Sequence, residues 1–394
     1  MKKYLKNLGL AMAVVALLLS MASCEKDDNT INENTDAINV NAAVDACSEL
    51  EALCKQVSTL ISETAPTDAQ CNSILSEYVD DVVVPTYRLL AEAALDFRDA
   101  VNVLKTNNDA LHLKAAADAW LVARIYWEES EAFLFGPVGE DAFDIDAHID
   151  SWPLELIDIQ EVLANEADGL TGQSAWLLDA EVIGFHTTEY LLFRDGQARA
   201  SITNAELKYL TAATDALVWD CALAYVAWAG ENNVSAGVKN AFNENPDVEK
   251  LFSDRPNFQN FGDKLKNATG NYAGSFVAAL SEISDGAADI ASEVGTTKIE
   301  SPFINGLVEE VESWYSWHSL DDYQNNIKSI KNAYYGGRNL STPAATNSLS
   351  VFVASKNPQL DSQIKAKITD CITKIAAIGT GGRSFYEVVR DNAK

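Results

Sequence analysis

Apolar residues recur every three or four positions along most of this chain, which is the spacing of one face of an α-helix. Only 9 prolines and 20 glycines interrupt the pattern in 394 residues. The sequence therefore predicts an all-α fold. The helices are predicted at about 38–63, 78–104, 114–135, 155–167, 174–193, 203–229, 262–294, 302–335 and 358–378.

Several short motifs set the ends of these helices. Thr203 and Glu206 have the spacing of a capping box, which predicts that a helix opens there. Pro85 predicts an early kink in the helix that contains it, and Gly136-Pro137 predicts the end of the next helix. Trp152-Pro153 closes the ordered loop that is expected to follow.

The helical pattern weakens about midway along the chain. Residues 232–261 are broken by Gly, Pro and Asn, which is typical of a connection. About four helices on either side predict two domains that resemble helical bundles, over residues 66–231 and 262–394, with 232–261 as the linker region. Residues 24–65 are predicted to form a polar tether followed by an accessory helix at 38–63.

The N-terminus has the organisation of a lipoprotein signal peptide, predicted over residues 1–23. Lysines precede an apolar stretch, Leu8 to Leu19, that is too short to span a bilayer of about 30 Å. Met21-Ala22-Ser23-Cys24 resembles a bacterial lipobox, so Cys24 is the predicted lipidation site. Acyl chains at Cys24 would anchor the protein in the outer membrane of the cell envelope, facing the periplasm or the cell surface.

The charge balance excludes one class of partner. The chain carries 58 Asp and Glu against 29 Lys and Arg, a formal charge of −29. Binding nucleic acid requires a concentrated positive surface, so nucleic acid is not an expected partner. Most of the excess acid is expected to keep the protein soluble, although an acidic surface also attracts cations.

The cysteines predict core thiols rather than a metal site. Five remain once Cys24 is assigned to lipidation, and no two of them have CxxC spacing. Cys47 and Cys54 lie two helical turns apart, about 10 Å, which is too far for a disulfide bond.

A histidine and a glutamate in the predicted helix 174–193 form the first candidate site. His186 and Glu189 lie three residues apart, so their side chains share a helix face and can hold one divalent cation together. Gly184 would let another backbone approach closely. The alternative is that Glu189 only holds His186 in a buried hydrogen bond.

Two charged residues share a helix face with two tryptophans in the first half of the chain. Trp120, Arg124, Trp127 and Glu131 recur at helical spacing. Charges on an aromatic face are rarely buried unless they are paired. Arg124 can reach Glu128 at i+4, which leaves Glu131 in need of another partner. The group is either an internal ion-pair network or part of a functional site.

In the predicted helix 302–335, His318, Asp321 and Asn325 lie opposite the apolar face, which indicates a solvated surface. Trp314 falls among them and predicts that the other domain covers this surface, with a polar cleft between. The sequence contains no HExxH or GxSxG motif and no phosphate-binding loop, so it gives no support to the usual hydrolase or nucleotide chemistry.

The sequence resembles the imelysin-like family, whose signature is Gly-x-His-x-x-Glu. That signature is present as Gly184-Phe185-His186-Thr187-Thr188-Glu189. Four further blocks are present in the order that the family has, three before this signature and one after it. They are Pro85-Thr86-Tyr87, Trp120 through Arg124 and Glu131 to Pro137, Asp150-Ser151-Trp152-Pro153, and Glu312 to His318 running to Asp322, Asn326 and Tyr335-Gly336-Gly337.

The resemblance implies two bundle-like halves, a location in the cell envelope and a site near the domain junction. It implies that His186 and Glu189 form the centre of this site, supported by Gly184, Trp152 and Pro153. It also implies that further side chains converge there. These are Arg124, Glu131, Ser316, His318 and Asp322.

Three functions are compatible with this resemblance. The family is associated with iron-regulated uptake, which implies a protein that binds iron, zinc, another divalent metal or a small ligand and meets iron-uptake partners. The family also includes an insulin-cleaving protease, which implies a metallopeptidase using His186 and Glu189. Zinc hydrolysis usually needs three protein ligands, a water and a base, so the sequence favours binding. A third hypothesis is a purely structural contact between two bundles.

Overall fold

The computed structural model describes residues 29–165, 167–340 and 345–393. The predicted signal peptide, Cys24 and the first residues of the tether lie outside the described residues. Within these ranges the regular structure is helical except for one hairpin of two-residue strands, β1 and β2, which pair antiparallel. The predicted all-α fold is confirmed.

The described chain up to residue 229 forms nine α-helices and this hairpin. They are α1 (Asn29–Thr64), α2 (Asp68–Tyr78), α3 (Val84–Thr106), α4 (Ala110–Glu128), α5 (Ile145–Asp150), α6 (Leu156–Asn165), α7 (Gly172–Trp176), α8 (Gly184–Leu192), β1 (Phe193–Arg194), β2 (Gln197–Ala198) and α9 (Asn204–Ala229).

The remaining described chain forms nine further α-helices. They are α10 (Ala236–Phe242), α11 (Pro246–Asp254), α12 (Phe261–Lys266), α13 (Phe276–Glu293), α14 (Ser301–Asn305), α15 (Ser319–Tyr335), α16 (Leu349–Lys356), α17 (Pro358–Ile378) and α18 (Phe385–Asn392). Between the α-helices lie short 3₁₀ turns and two π-helices. The turns are Glu131–Phe133, Ala180–Val182, Pro256–Phe258, Gly270–Tyr272 and Val308–Glu310, and the π-helices are Val79–Val83 and Val294–Glu300.

Local sequence signals explain several helix ends. The hydroxyl of Thr203 accepts the backbone N–H of Glu206, and the Glu206 carboxylate accepts that of Thr203, which confirms the predicted capping box of α9. Pro85 lies in the first turn of α3, directly after the first π-helix. Because α2, this π-helix and α3 follow one another without a break, the helical run is irregular at the position where Pro85 predicts a kink.

Two long helices predicted from the pattern are interrupted in the structure. The segment predicted as one helix over 174–193 is divided into α7, a 3₁₀ turn and α8, because Gly184 begins α8 with φ of +77°. The segment predicted over 302–335 stops at Gly306, whose φ of +64° ends α14, and resumes only at α15. Trp314 and His318 therefore lie in a loop and not on a solvated helix face.

α9 forms the core of the first half of the molecule. It packs against α3, α7 and α8 and against the short helices that follow it. α9 is long and apolar enough to cross a membrane, but 89% of its most apolar 18-residue window is buried inside the protein. This is the arrangement of a core helix.

α1 packs between α13 and α17, and α15 packs against both of these helices. α13 and α15 also contact the turn Glu131–Phe133, and α15 contacts α4, so the two halves of the chain share a buried seam. The N-terminal helix thus forms part of the hydrophobic core. The division into two domains stays a prediction.

The five cysteines of the described residues are all buried and none is in a disulfide bond. Burial raises the pKa of the Cys54 thiol to about 12, so this group stays protonated at neutral pH. The predicted core thiols are confirmed.

Truncating a buried side chain of α1 tests whether this helix contributes to the core. Leu50→Ala should lower the free energy of unfolding by about 2–5 kcal/mol, because Leu50 is fully buried and its loss leaves a cavity. Ile38→Ala on the same helix is the control, since Ile38 is 60% exposed and should cost at most about 0.5 kcal/mol. Denaturant unfolding followed by circular dichroism measures both. Equal, small losses would contradict the packing of α1.

Candidate metal centre

The guanidinium of Arg124 lies at the centre of a buried cluster of ion pairs. Arg124 is on α4 and is only 1% exposed. It contacts carboxylates from four parts of the chain. They are Glu128 on α4, at 2.5 Å from Nη2, Asp150 at the end of α5, Glu312 in the loop before α15, at 2.6 Å from Nη2, and Asp322 on α15, at 3.6 Å from Nε. The pair with Glu128 is the one that the i+4 spacing predicts.

His186 faces the same carboxylates from α8. Its Nε2 lies 3.0 Å from Asp150 Oδ1 and 3.7 Å from Glu312 Oε1. Its Nδ1 lies 3.2 Å from Glu189 Oε2, and both residues are fully buried. The other oxygen of Glu189 accepts the backbone N–H of Ser316 at 2.8 Å. Glu189 therefore fixes the imidazole ring while Nε2 is directed toward Asp150 and Glu312.

A close backbone contact places His186 beside Asp150. A Cβ atom at Gly184 would lie 2.4 Å from the carbonyl oxygen of Ile149, so the start of α8 touches the end of α5. The ring of Trp152 covers the imidazole, with 4.7 Å between ring centroids. The Trp152–Pro153 peptide bond is cis, and Pro153 itself is exposed.

The loop before α15 supplies Ser316 and His318. Ser316 contributes its backbone N–H to Glu189, and its hydroxyl donates to the carbonyl of Ser313 at 3.2 Å. The Nδ1–H of His318 donates to the carbonyl of Ser316 at 2.8 Å, so this ring is bonded to its own loop. His318 is thus adjacent to the cluster and does not join the ligand-bearing group around Arg124.

Glu131 lies in the turn after α4 and opens onto a cavity of about 210 Å³ that reaches the cluster. Lys298 enters the same cavity from the second π-helix and pairs with Glu312 at 2.8 Å and with Glu293 at 3.5 Å. The side chains around the cavity are mostly acidic. The charged ones are Glu131, Asp146, Asp150, Glu293, Glu310, Glu312 and Lys298.

The cluster contains more carboxyl groups than its two permanent cations, Arg124 and Lys298, can neutralise. The carboxyl groups are Glu128, Glu131, Asp146, Asp150, Glu189, Glu312 and Asp322.

Several of these groups hold their protons at unusually high pH. Burial raises the pKa of Asp146 to about 7 and that of Asp322 to about 6, the latter despite Arg124. Burial also raises the pKa of Glu128 and of Glu131 well above the usual range. Protons therefore compensate part of the negative charge.

Three groups are held in their charged forms. Burial opposes ionisation of Asp150 and Glu312, yet Arg124 lowers the pKa of Asp150, and Lys298 lowers that of Glu312. Burial and Arg124 disfavour a charged imidazole, but hydrogen bonds to Asp150, Glu189 and Glu312 outweigh them and raise the pKa of His186. Without a metal, His186 is the protonated partner of three carboxylates.

The structure brings together most of the residues singled out from the sequence: Arg124, Glu131, His186, Glu189, Ser316 and Asp322. The candidate sites predicted from the sequence did not include Asp146, Asp150, Lys298 or Glu312. Asp150 and Glu312 each open one of the family-like blocks, and that was an available signal. No sequence signal indicated Lys298, because it lies in a π-helix, which changes the direction in which side chains point.

The fold and this site define an all-α protein with a buried cluster of histidine and carboxylates between its halves. The sequence model of the imelysin family, a family with a peptidase designation, matches residues 83–394, and the chain belongs to this family. Iron-regulated protein A of Synechococcus elongatus is 27% identical over 312 residues, which are 79% of this chain and 77% of that protein.

Two solved structures are similar to this chain. One is a candidate iron-regulated protein A precursor from Parabacteroides distasonis, with a TM-score of 0.59, 28% identity, and coverage of 84% of this chain and 96% of that one. The other, an imelysin-like protein from Psychrobacter arcticum, has a TM-score of 0.56 and 17% identity, covers 83% and 92% respectively, and shows the shared fold.

Adding one methyl group tests the contact that places His186. Gly184→Ala should destabilise the protein by about 2–5 kcal/mol, because it combines an unfavourable φ with a clash against Ile149. Gly381→Ala is the matched control, since Gly381 has φ of +82° and nothing within 4 Å of an added Cβ. The difference between the two thermal unfolding curves isolates the clash. Equal destabilisation would show that the α5–α8 contact is unimportant.

Proposed function

We propose that this protein binds a transition-metal cation, iron foremost, at Asp150, His186 and Glu312. The observation that carries the proposal is that ligand atoms of these three residues lie within 4.8 Å of one another in a buried site. Two carboxylates and one imidazole form a donor set that suits iron(II) and zinc.

The surroundings of His186 match those of a metal ligand. Glu189 accepts a hydrogen bond from Nδ1, which sets the tautomer and leaves Nε2 to bind the metal. Glu189 is held in turn by the backbone of Ser316. In this proposal the Gly-x-His-x-x-Glu motif supplies one ligand and its orienting carboxylate, while Asp150 and Glu312 supply the oxygens.

The charge balance also supports a cation. Binding would displace the proton from His186 and protons from the carboxyl groups, as metal binding to protein ligands generally does. The cavity lined by Asp150 and Glu312 gives access, and its acidic wall concentrates cations near the entrance. Arg124 and Lys298 then balance the charge that the metal leaves uncompensated.

The names of the relatives support iron as the metal. The cyanobacterial relative and the protein from Parabacteroides distasonis both carry the name iron-regulated protein A. We infer that this chain captures iron in the cell envelope, held to the outer membrane through a lipid on Cys24 and delivering the metal to iron-uptake partners.

Peptide hydrolysis is the second candidate function. The family designation supports it, and Glu131 offers a carboxylate near the ligands that could serve as a base. A cavity of about 210 Å³ is small for a polypeptide, since ligand pockets usually measure about 300–1,000 Å³. Binding is therefore the function that the geometry favours.

Calorimetric titration of the purified protein with iron(II), under anaerobic conditions, and with zinc tests the proposal. His186→Ala should weaken binding about 100-fold or more, because it removes the only nitrogen ligand. His112→Ala is the control, since His112 is bonded to Asp109 at the start of α4, about 18 Å along the helix from Arg124.

Absence of binding, or equal affinity in His186→Ala, would contradict metal capture. Cleavage of a denatured protein that stops with a chelator and in His186→Ala would instead establish the peptidase. A loss of thermal stability in His186→Ala without any metal effect in the wild type would favour a purely structural cluster.

A further inference from the structure

A second group of carboxylates lies next to the proposed metal ligands. Oxygen atoms of Glu128, Glu131 and Asp150 all lie within 4.8 Å of one another. Asp150 also belongs to the first group, with His186 and Glu312. The two groups are therefore neighbours that share one carboxylate.

The unpaired carboxyl group of Glu131 distinguishes this group from an ordinary ion-pair network. Glu131 is only 5% exposed, and its side chain lines the cavity. Its carboxylate has no hydrogen bond and no ion pair with any other part of the chain that the structure describes. A buried carboxylate without a partner is costly, because it loses hydration and gains nothing in return. A bound cation in the cavity would supply the missing partner.

Lys298 is not the partner of the Glu131 carboxyl group. The ammonium group is paired with Glu312 at 2.8 Å and with Glu293 at 3.5 Å, whereas no contact within 4.0 Å joins it to Glu131. Among the charged side chains that line this cavity, six are acidic and Lys298 alone is basic. The positive charge that is missing is therefore missing at Glu131 and the carboxyl groups beside it.

Asp146 lies on the same wall. It precedes Asp150 by four residues on α5, so both side chains point from one face of the helix into the cavity. No side-chain hydrogen bond or ion pair joins Asp146 to the described residues, which makes it a second unpaired carboxylate beside Glu131. Glu128, by contrast, is fixed by Arg124 at 2.5 Å and by the amide of Asn326 at 2.5 Å. Two unpaired carboxyl groups thus line the cavity, and the rigid carboxylate of Glu128 lies within 4.8 Å of those of Glu131 and Asp150.

We propose that Glu128, Glu131 and Asp150, with Asp146 on the cavity wall, form a second cation position that takes a hard divalent cation. All of its donors are oxygens, the donor set typical of manganese(II), calcium and magnesium, whereas the first position includes an imidazole. Asp150 lies between the two positions and contributes to both. The first of the two cation positions rests on the proposed function, whereas the second position depends on Glu131.

Manganese(II) titration followed by electron paramagnetic resonance counts both positions in the intact protein. The wild type should bind two ions. Glu131→Gln should bind one, because the amide keeps the shape of the side chain but cannot become an anionic ligand, and His186→Ala should also bind one. Glu310→Gln is the matched control, since Glu310 lines the cavity but belongs to neither group and should leave two ions bound.

Thermal unfolding without metal shows that Glu131→Gln is folded. It should be about as stable as the wild type, because burial raises the pKa of Glu131 so that this group is protonated without a metal, and the amide has the same shape. It should gain less stability from manganese(II) than the wild type does. One ion in the wild type and in Glu131→Gln, or two in both, would overturn the second position. Binding at the first position is measured separately by titration with iron(II) and zinc, so an absence of binding there is recognised independently of the second position.

Discussion

The buried guanidinium of Arg124 is the interaction on which the rest of the structure depends. A charge that is only 1% exposed must be paired, and its partners come from α4, α5, α15 and the loop before α15. Removing one member of such a cluster typically costs about 3–5 kcal/mol, because an unpaired charge remains in the interior. The cluster therefore fixes how these elements lie against one another, and the position of His186 follows from theirs.

The same cluster is more acidic than stability alone would favour. Arg124 and Lys298 face seven carboxyl groups, and burial raises the pKa of several of these well above the usual range. Apolar side chains of similar size generally stabilise an interior as well as or better than buried ions do. Shifted pKa values concentrated at one cavity are typical of functional sites. A cation that replaces protons gives this surplus of acid a physical reason.

Much of the fold could be predicted from local signals. α9 begins where its capping box indicates, and α17 extends over Pro358–Ile378 as its apolar spacing predicts. The breaks within 174–193 and 302–335 could not be predicted in this way. The conformation of Gly184 depends on the carbonyl of Ile149, which is distant in sequence, and periodicity within one segment contains no information about that contact.

The candidate site was predictable to a similar extent. His186, Glu189 and Arg124 stand out because polar groups occur on apolar helix faces at contact spacing. Asp150 and Glu312 stand out only through the family-like blocks that they open, since each is otherwise an ordinary acid in its own segment. Their role depends on the fold, which brings Arg124 and His186 to them. The tertiary fold, and not the local sequence, determines which residues pair with a buried charge.

The most direct test is a diffraction experiment on crystals soaked in iron(II) or zinc, with data collected on both sides of the metal absorption edge. We expect an anomalous peak bounded by Asp150, His186 and Glu312, with Glu189 still hydrogen-bonded to Nδ1 of the imidazole. Metal bound only to surface carboxylates, with no peak within the cluster at full soaking concentration, would contradict it.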